Sequence, residues 1–242
     1  MDRRSTIQLL SLCLLLMAAA CSKHQGPPAM ITPPATMPVP ADRPKTYLAL
    51  GDSYTIGQSV DYSQRFPIQT RAWLNQQGIN MYDPKFIAVT GWSTVALQQA
   101  ITVENPVGPF DVVSLLIGVN DQYQGLDTTG YRTRFGQLLQ KAVSLAGNRA
   151  SHVFVLSIPD YSVTPFARSS DTARIRKQID EFNQINRQIT QSANVPYLDI
   201  TPSSREARYN LSLIASDSLH FSGIEYAKWA ERLGMMMKSV LQ

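Results

Sequence analysis

Thr46-Tyr47-Leu48-Ala49-Leu50-Gly51-Asp52-Ser53-Tyr54 decides the reading of this chain. A short apolar run of this kind is a buried strand, and it ends abruptly in a glycine, an aspartate and a serine. Strand ends of open α/β sheets are where ligands gather, so the Ser53 hydroxyl is lifted out of the core to the rim of a sheet. Gly-Asp-Ser taken alone is equally an ordinary strand-to-helix turn with Ser53 as its cap. The segments that follow decide between the two.

Downstream, strand-like and helix-like patterns alternate. Phe66, Ile68, Trp73 and Leu74 carry a helical period that stops at Gly78, and Lys85–Val89 is a second strand. Thr90-Gly91-Trp92-Ser93-Thr94 follows, with Ser93 or Thr94 able to cap a helix to about Ile101. Asp111–Ile117 is a nearly continuous apolar strand of the parallel-sheet kind, closed by Gly118-Val119-Asn120-Asp121. A helix over Tyr131–Ala146, a strand over Val153–Ile158, a helix with core positions from Ile175 to Ile189, a strand over Pro196–Ile200 and a last helix from Ser222 complete the pattern. Alternation of this kind predicts one domain, 46–242, built as a parallel sheet with helices on both faces.

The first 45 residues read differently. Arg3 and Arg4 precede an apolar stretch, Ile7–Met17, and then Ala18-Ala19-Ala20-Cys21, which is the order of an export signal and is too short for a membrane span. Its end resembles the lipobox of bacterial lipoproteins, with Ala18 where that family usually has Leu. The resemblance implies a signal over 1–20 and a lipidated Cys21 as mature N-terminus, exported and held at the membrane of a bacterial envelope. A soluble secreted or periplasmic protein cut after Ala20 is the other reading. Residues 21–45, rich in Pro, Thr, Ala and Met, form an extended tether. Both cysteines, Cys13 and Cys21, fall in this region, so under the lipoprotein reading no free thiol is left for chemistry.

Composition narrows the function. The chain has 242 residues, 44% hydrophobic and 17% charged, and a formal charge of +4 with its basic residues dispersed, which gives no indication of nucleic acid. No metal-ligand spacing is present, and neither metal nor organic cofactor is called for. Of three histidines, His24 lies in the tether and His152 introduces a strand, leaving His220 in Ser216-Asp217-Ser218-Leu219-His220. Asp217, three residues before it, can fold back on the imidazole; Asp217 or Ser222 can equally cap a helix there. Asn120 and the backbone amides of Ser53 and Gly91 are suited to stabilise an oxyanion. Tyr54, Trp92, Tyr123 and Tyr161 are candidates for a pocket lining, with Tyr161 and Phe166 on a polar, aromatic loop.

Gly51-Asp52-Ser53 after the first strand, Gly91 after the second, Gly118-Val119-Asn120-Asp121 after the third and Asp217-x-x-His220 before the last helix together resemble the SGNH hydrolase (GDSL esterase/lipase) family. The resemblance covers Tyr47 to about Gly223. It implies a flavodoxin-like three-layer α/β/α sandwich with about five parallel strands. It also implies Ser53 as nucleophile, His220 as general base, Asp217 as its orienting acid, and Ser53, Gly91 and Asn120 as oxyanion hole. A serine carboxylic-ester hydrolase is expected, lysophospholipase-like or acting on another lipid, glycan or small-molecule ester. A carbohydrate O-acetylesterase or O-acyltransferase, and a catalytically silent envelope-binding lipoprotein, are the alternatives.

Overall fold

The computed structural model describes residues 43–242. The expected export signal, Cys21 and the expected tether up to residue 42 lie outside the described residues. The strands are β1 (Tyr47–Gly51), β2 (Lys85–Ala88), β3 (Val112–Leu116), β4 (Val153–Leu156) and β5 (Tyr197–Leu198). They form one parallel sheet in the order β2-β1-β3-β4-β5. The helices are α1 (Ser53–Ile56), α2 (Phe66–Gln76), α3 (Thr94–Glu104), α4 (Val119–Tyr123), α5 (Thr128–Leu145), α6 (Thr172–Ser192), α7 (Thr201–Ser204) and α8 (Gly223–Leu241). Helix α2 packs against α8, while α5 packs against both α3 and α6, giving the three layers expected of the α/β alternation.

Burial explains the strand sequences. β1, β3 and β4 are buried along their whole length, as strands covered on both faces must be, so they are apolar rather than alternating. The one hydroxyl inside β3, Ser114, pairs with the Tyr47 hydroxyl at 2.8 Å, which leaves neither group unpaired in the core. The chain leaves β1 toward β2 on one side and returns past it to β3 on the other. Between β1 and β3 the order therefore reverses, and a crevice opens at the carboxyl ends of those two strands.

Element ends differ from the sequence reading where the apolar period is silent. Helix α5 begins at Thr128 because Asp127 accepts a hydrogen bond from the Gly130 N–H (2.7 Å), and α6 begins at Thr172 because Asp171 does the same for Arg174 (3.0 Å). Their first turns stand clear of the core and carry no periodic signal. Helix α3 runs on to Glu104, and Ser93 makes no side-chain cap. The Ser222 hydroxyl also does not cap α8 but donates to the Ser212 carbonyl at 2.7 Å.

The folded unit also begins before Thr46. Arg43 donates two hydrogen bonds to the Asp111 carboxylate, at 2.8 and 3.0 Å, and the same carboxylate accepts from the Thr46 N–H (2.7 Å) and hydroxyl (2.9 Å). Lys45 pairs through its backbone with Asn80 and Tyr82. Residues 43–45, read from the sequence as the end of the tether, are thus fastened beside the start of the central strand β3 and to residues 80–82 by partners far away in sequence.

Partial burial alone would raise the Asp111 carboxyl, but the Arg43 and Thr46 donors lower it. Its stabilisation is therefore complete above the unfolded carboxylate value of roughly 4 and is lost as pH falls through the lower folded value. Asp111→Ala strands several donors at once and should cost about 2–3 kcal/mol, measured as a drop in urea midpoint at pH 7 that shrinks toward pH 2.

Candidate active site

Register brings three loops to one rim. Gly51 at the end of β1 pairs with Ala88 of β2 on one side and Leu116 of β3 on the other. Ser53, Gly91 and Asn120 follow within a few residues, so all three emerge at the same edge of the sheet. With His220 from the loop before α8 they line a cleft of about 180 Å³.

Ser53 opens α1, whose cap is Asp52: one carboxylate oxygen accepts the Tyr54 N–H at 3.0 Å, and the other is buried without a partner. This cap holds the turn that presents the serine. Gly91 has φ +86°, a left-handed conformation, and open space where a Cβ would stand. Its amide is therefore unshielded toward the cleft. Gly118 has φ +128°, and a Cβ there would come 2.3 Å from the Tyr131 hydroxyl. That glycine lets β3 turn sharply into α4, which carries Asn120.

Asn120 donates one amide hydrogen to the Trp92 carbonyl at 2.9 Å. Its NH2 group has a second hydrogen to offer. The next residue, Asp121, is fully buried and accepts from the Thr94 N–H (2.8 Å), the Thr94 hydroxyl (2.5 Å) and Arg134 (3.2 Å). Arg134 in turn donates to the Thr94 hydroxyl. The loop bearing Gly91 and the helix bearing Asn120 are thereby locked together.

On the opposite wall, Asp217 Oδ1 accepts the N–H groups of Leu219 and His220 at 3.0 and 2.9 Å, and Oδ2 lies 2.6 Å from His220 Nδ1. A residue with no mark in the sequence completes this wall: the Ser59 hydroxyl donates to Asp217 Oδ2 at 2.7 Å. Ser59 has φ +65°, as does Ser218 between Asp217 and His220, so both sit in a conformation uncommon for serine. Burial by itself would raise the Asp217 carboxyl, yet Ser59, His220 and the two amides hold it at about 2. It is an acceptor only, so the shared proton sits on His220 Nδ1, and Nε2 is the ring nitrogen left without this partner.

The remaining candidates separate. Tyr54 lines the cleft but is only 2% exposed, packed edge-on against His220 (5.5 Å) and tilted against Phe221 (5.9 Å), so it also supports the imidazole. Tyr123 and Tyr161 line the cleft, as does Phe166. Trp92, expected in the lining, does not: its side chain lines a separate groove along α3 with Ala96 and Val103, and its contribution to the site is the carbonyl that holds Asn120. His152 Nδ1 donates to the Asp111 carbonyl (2.7 Å), remote from the cleft. Among the described residues no group of three or more His, Cys, Asp or Glu is placed to hold a metal ion, and no helix is long and apolar enough to cross a membrane.

Burial pushes the Asp52 carboxyl up to about 8; the Tyr54 N–H opposes this and the charge of Asp121 adds to it. Asp52 therefore carries a proton at neutral pH and sets no full negative charge beside Ser53. A carboxyl raised in the folded state stabilises fully below its unfolded value of roughly 4, and that contribution is lost as pH rises toward 8. Asp52→Asn keeps an oxygen for the Tyr54 N–H without ionising. Its stability relative to the parent should rise by a few kcal/mol between pH 4 and pH 8, read from denaturation midpoints across that range.

Comparison with known proteins bears on the fold and the family. The model of the GDSL-like Lipase/Acylhydrolase family matches residues 49–228. Similar solved structures include a lipolytic G-D-S-L family protein from Veillonella parvula, 19% identical with TM-score 0.58, covering 79% of this chain and 96% of that one. A lipase/acylhydrolase from Enterococcus faecalis is 18% identical with TM-score 0.57, covering 81% and 95%. An acetyl xylan esterase variant from Geobacillus stearothermophilus is 15% identical with TM-score 0.55, covering 80% and 94%. A search of curated protein sequences gives no match. These structures share the fold, and the family match covers most of the chain. The chain belongs to the GDSL-like lipase/acylhydrolase family and is an ester-hydrolysing enzyme.

Proposed function

We propose that the protein is a serine carboxylic-ester hydrolase working through an acyl-enzyme on Ser53. The observation that carries this is the 2.6 Å contact of Asp217 with His220 Nδ1, in a cleft that His220 shares with Ser53, Gly91 and Asn120. His220 Nε2 takes the Ser53 proton as the oxygen attacks the ester carbonyl. The resulting oxyanion accepts from the Ser53 and Gly91 amides and from the free amide hydrogen of Asn120. The tetrahedral centre collapses, the C–O bond to the alcohol breaks, and the proton on Nε2 leaves with that alcohol. Water then gives a proton to His220 as it attacks the acyl carbonyl, the C–O bond to Ser53 breaks, the carboxylic acid leaves, and His220 returns its proton to the Ser53 oxygen.

Asp217 keeps the imidazole in the tautomer this needs and balances the charge that forms on it. Ser59 is a positioning residue, since it touches Asp217 rather than the reacting atoms. Chain order supports the role: Ser59 follows the nucleophile turn, so its bond couples the loop of Ser53 to the loop of His220. The N-terminal Arg3, Arg4, apolar and Ala-Ala-Cys21 segment supports export and lipid attachment at Cys21, which metabolic labelling with palmitate tests.

Hydrolysis of p-nitrophenyl esters should vanish in Ser53→Ala and fall on the order of a hundredfold in kcat in Asn120→Ala; a Ser53→Ala protein that retains turnover would sink the mechanism. Ser59→Gly relieves the left-handed backbone while removing the hydroxyl. It is expected to lower kcat several-fold with little change in KM, a split that a purely structural serine would not produce.

A further inference from the structure

The apolar part of the cleft lining has a chemistry of its own. A leaving alcohol must sit at His220 Nε2 to be protonated, so the acyl substituent of the same tetrahedral centre is directed to the opposite side. Val119 and Tyr123 of α4 and Tyr161 and Phe166 of the β4–α6 loop line the cleft beside the reacting groups. Among the described residues no Asp, Glu, Lys or Arg lines the cleft.

Tyr123 and Phe166 are 62% and 44% exposed, although their rings meet at 6.5 Å and Tyr123 also meets Tyr161 edge-on at 6.3 Å. Aromatic side chains on separate elements, gathered at a cleft mouth and still wet, gain most from covering by an apolar ligand. Tyr161 below them is 4% exposed, and its hydroxyl is satisfied by Gln122 at 3.0 Å, so it offers the cleft a ring rather than an unpaired polar group. The Phe166 N–H donates to the Ser218 carbonyl at 3.0 Å, tying this wall to the loop of the base.

We propose that Tyr123, Tyr161 and Phe166 form an acyl-binding clamp that selects esters of uncharged, medium-length apolar acids over acetyl esters. The inference rests on the ester-hydrolase reading above. Size sets the length: a cleft of about 180 Å³, at roughly 30 Å³ for each water-sized group, holds about six heavy atoms. With the reacting carbonyl included, a hexanoyl group about fills it, an acetyl group leaves about half of it wet, and longer chains extend into solvent.

The full-length protein is assayed on p-nitrophenyl acetate, butanoate, hexanoate, octanoate and dodecanoate. We expect kcat/KM to rise at least tenfold from acetate to hexanoate and to fall again by dodecanoate. The double variant Tyr123→Ala/Phe166→Ala should reduce the hexanoate-to-acetate ratio about tenfold. Phe166→Trp, which adds volume to the wall, should move the optimum to a shorter chain. An acetate optimum, or a hexanoate-to-acetate ratio unchanged in both variants, would overturn the clamp while leaving the ester hydrolase intact. No turnover of any ester, together with failure of a fluorophosphonate to label Ser53, would instead remove the hydrolase reading and the clamp with it.

Discussion

The buried Asp121 carboxylate is the fastening on which the site depends. Parallel register alone brings the ends of β1, β2 and β3 to one rim, but it does not fix the loops beyond them. Asp121 does so, taking both hydrogen-bond donors of Thr94 with Arg134 alongside. Because Asp121 directly follows Asn120 and Thr94 follows Gly91 by three residues, one charge holds two of the candidate oxyanion donors against each other. A buried carboxylate is costly unless paired. Here the pairing is complete, and it lends rigidity to the proposed oxyanion hole.

The wall that carries Asp217 and His220 is held by different means. The three residues Asp217, Leu219 and His220 form a compact turn around one carboxylate, with Ser218 in a left-handed conformation between them. Backbone strain at such positions persists only where the surroundings over-determine it. Those surroundings are the Ser59 hydroxyl above and an aromatic bed below, in which Tyr54 supports His220 and rests on Trp229 of α8 at 6.5 Å. Helix α8 is anchored through Glu225, which accepts from Ser203 and from the Trp229 indole. The Ser53 turn and the His220 loop thus meet through both a polar bond and a packed ring.

Much of this architecture is legible in the amino-acid sequence. Apolar runs ending in Gly-Asp-Ser and Gly-Val-Asn-Asp locate β1 and β3 and the rim residues after them, because strands buried on both faces leave an unbroken signature. Elimination among three histidines leads to His220. Trp92 reads as pocket lining from its neighbour Gly91, whereas the start of the following helix turns its ring toward α3. Ser59 leaves no signal, since a serine 158 residues from its partner belongs to no local pattern. Arg43 is hidden in the same way by its distance from Asp111. Exposed first turns of α5 and α6 can be recognised only through their caps, Asp127 and Asp171.

The central claim is that Ser53 carries the acyl group between the two half-reactions. Acid quenching of the enzyme during turnover of p-nitrophenyl hexanoate, followed by mass spectrometry of its peptides, tests this directly. An acyl adduct is predicted on the peptide containing Ser53, accumulating when deacylation is slowed and absent from Ser53→Ala. Full turnover in the parent with an adduct on another residue, and none on Ser53, would contradict it.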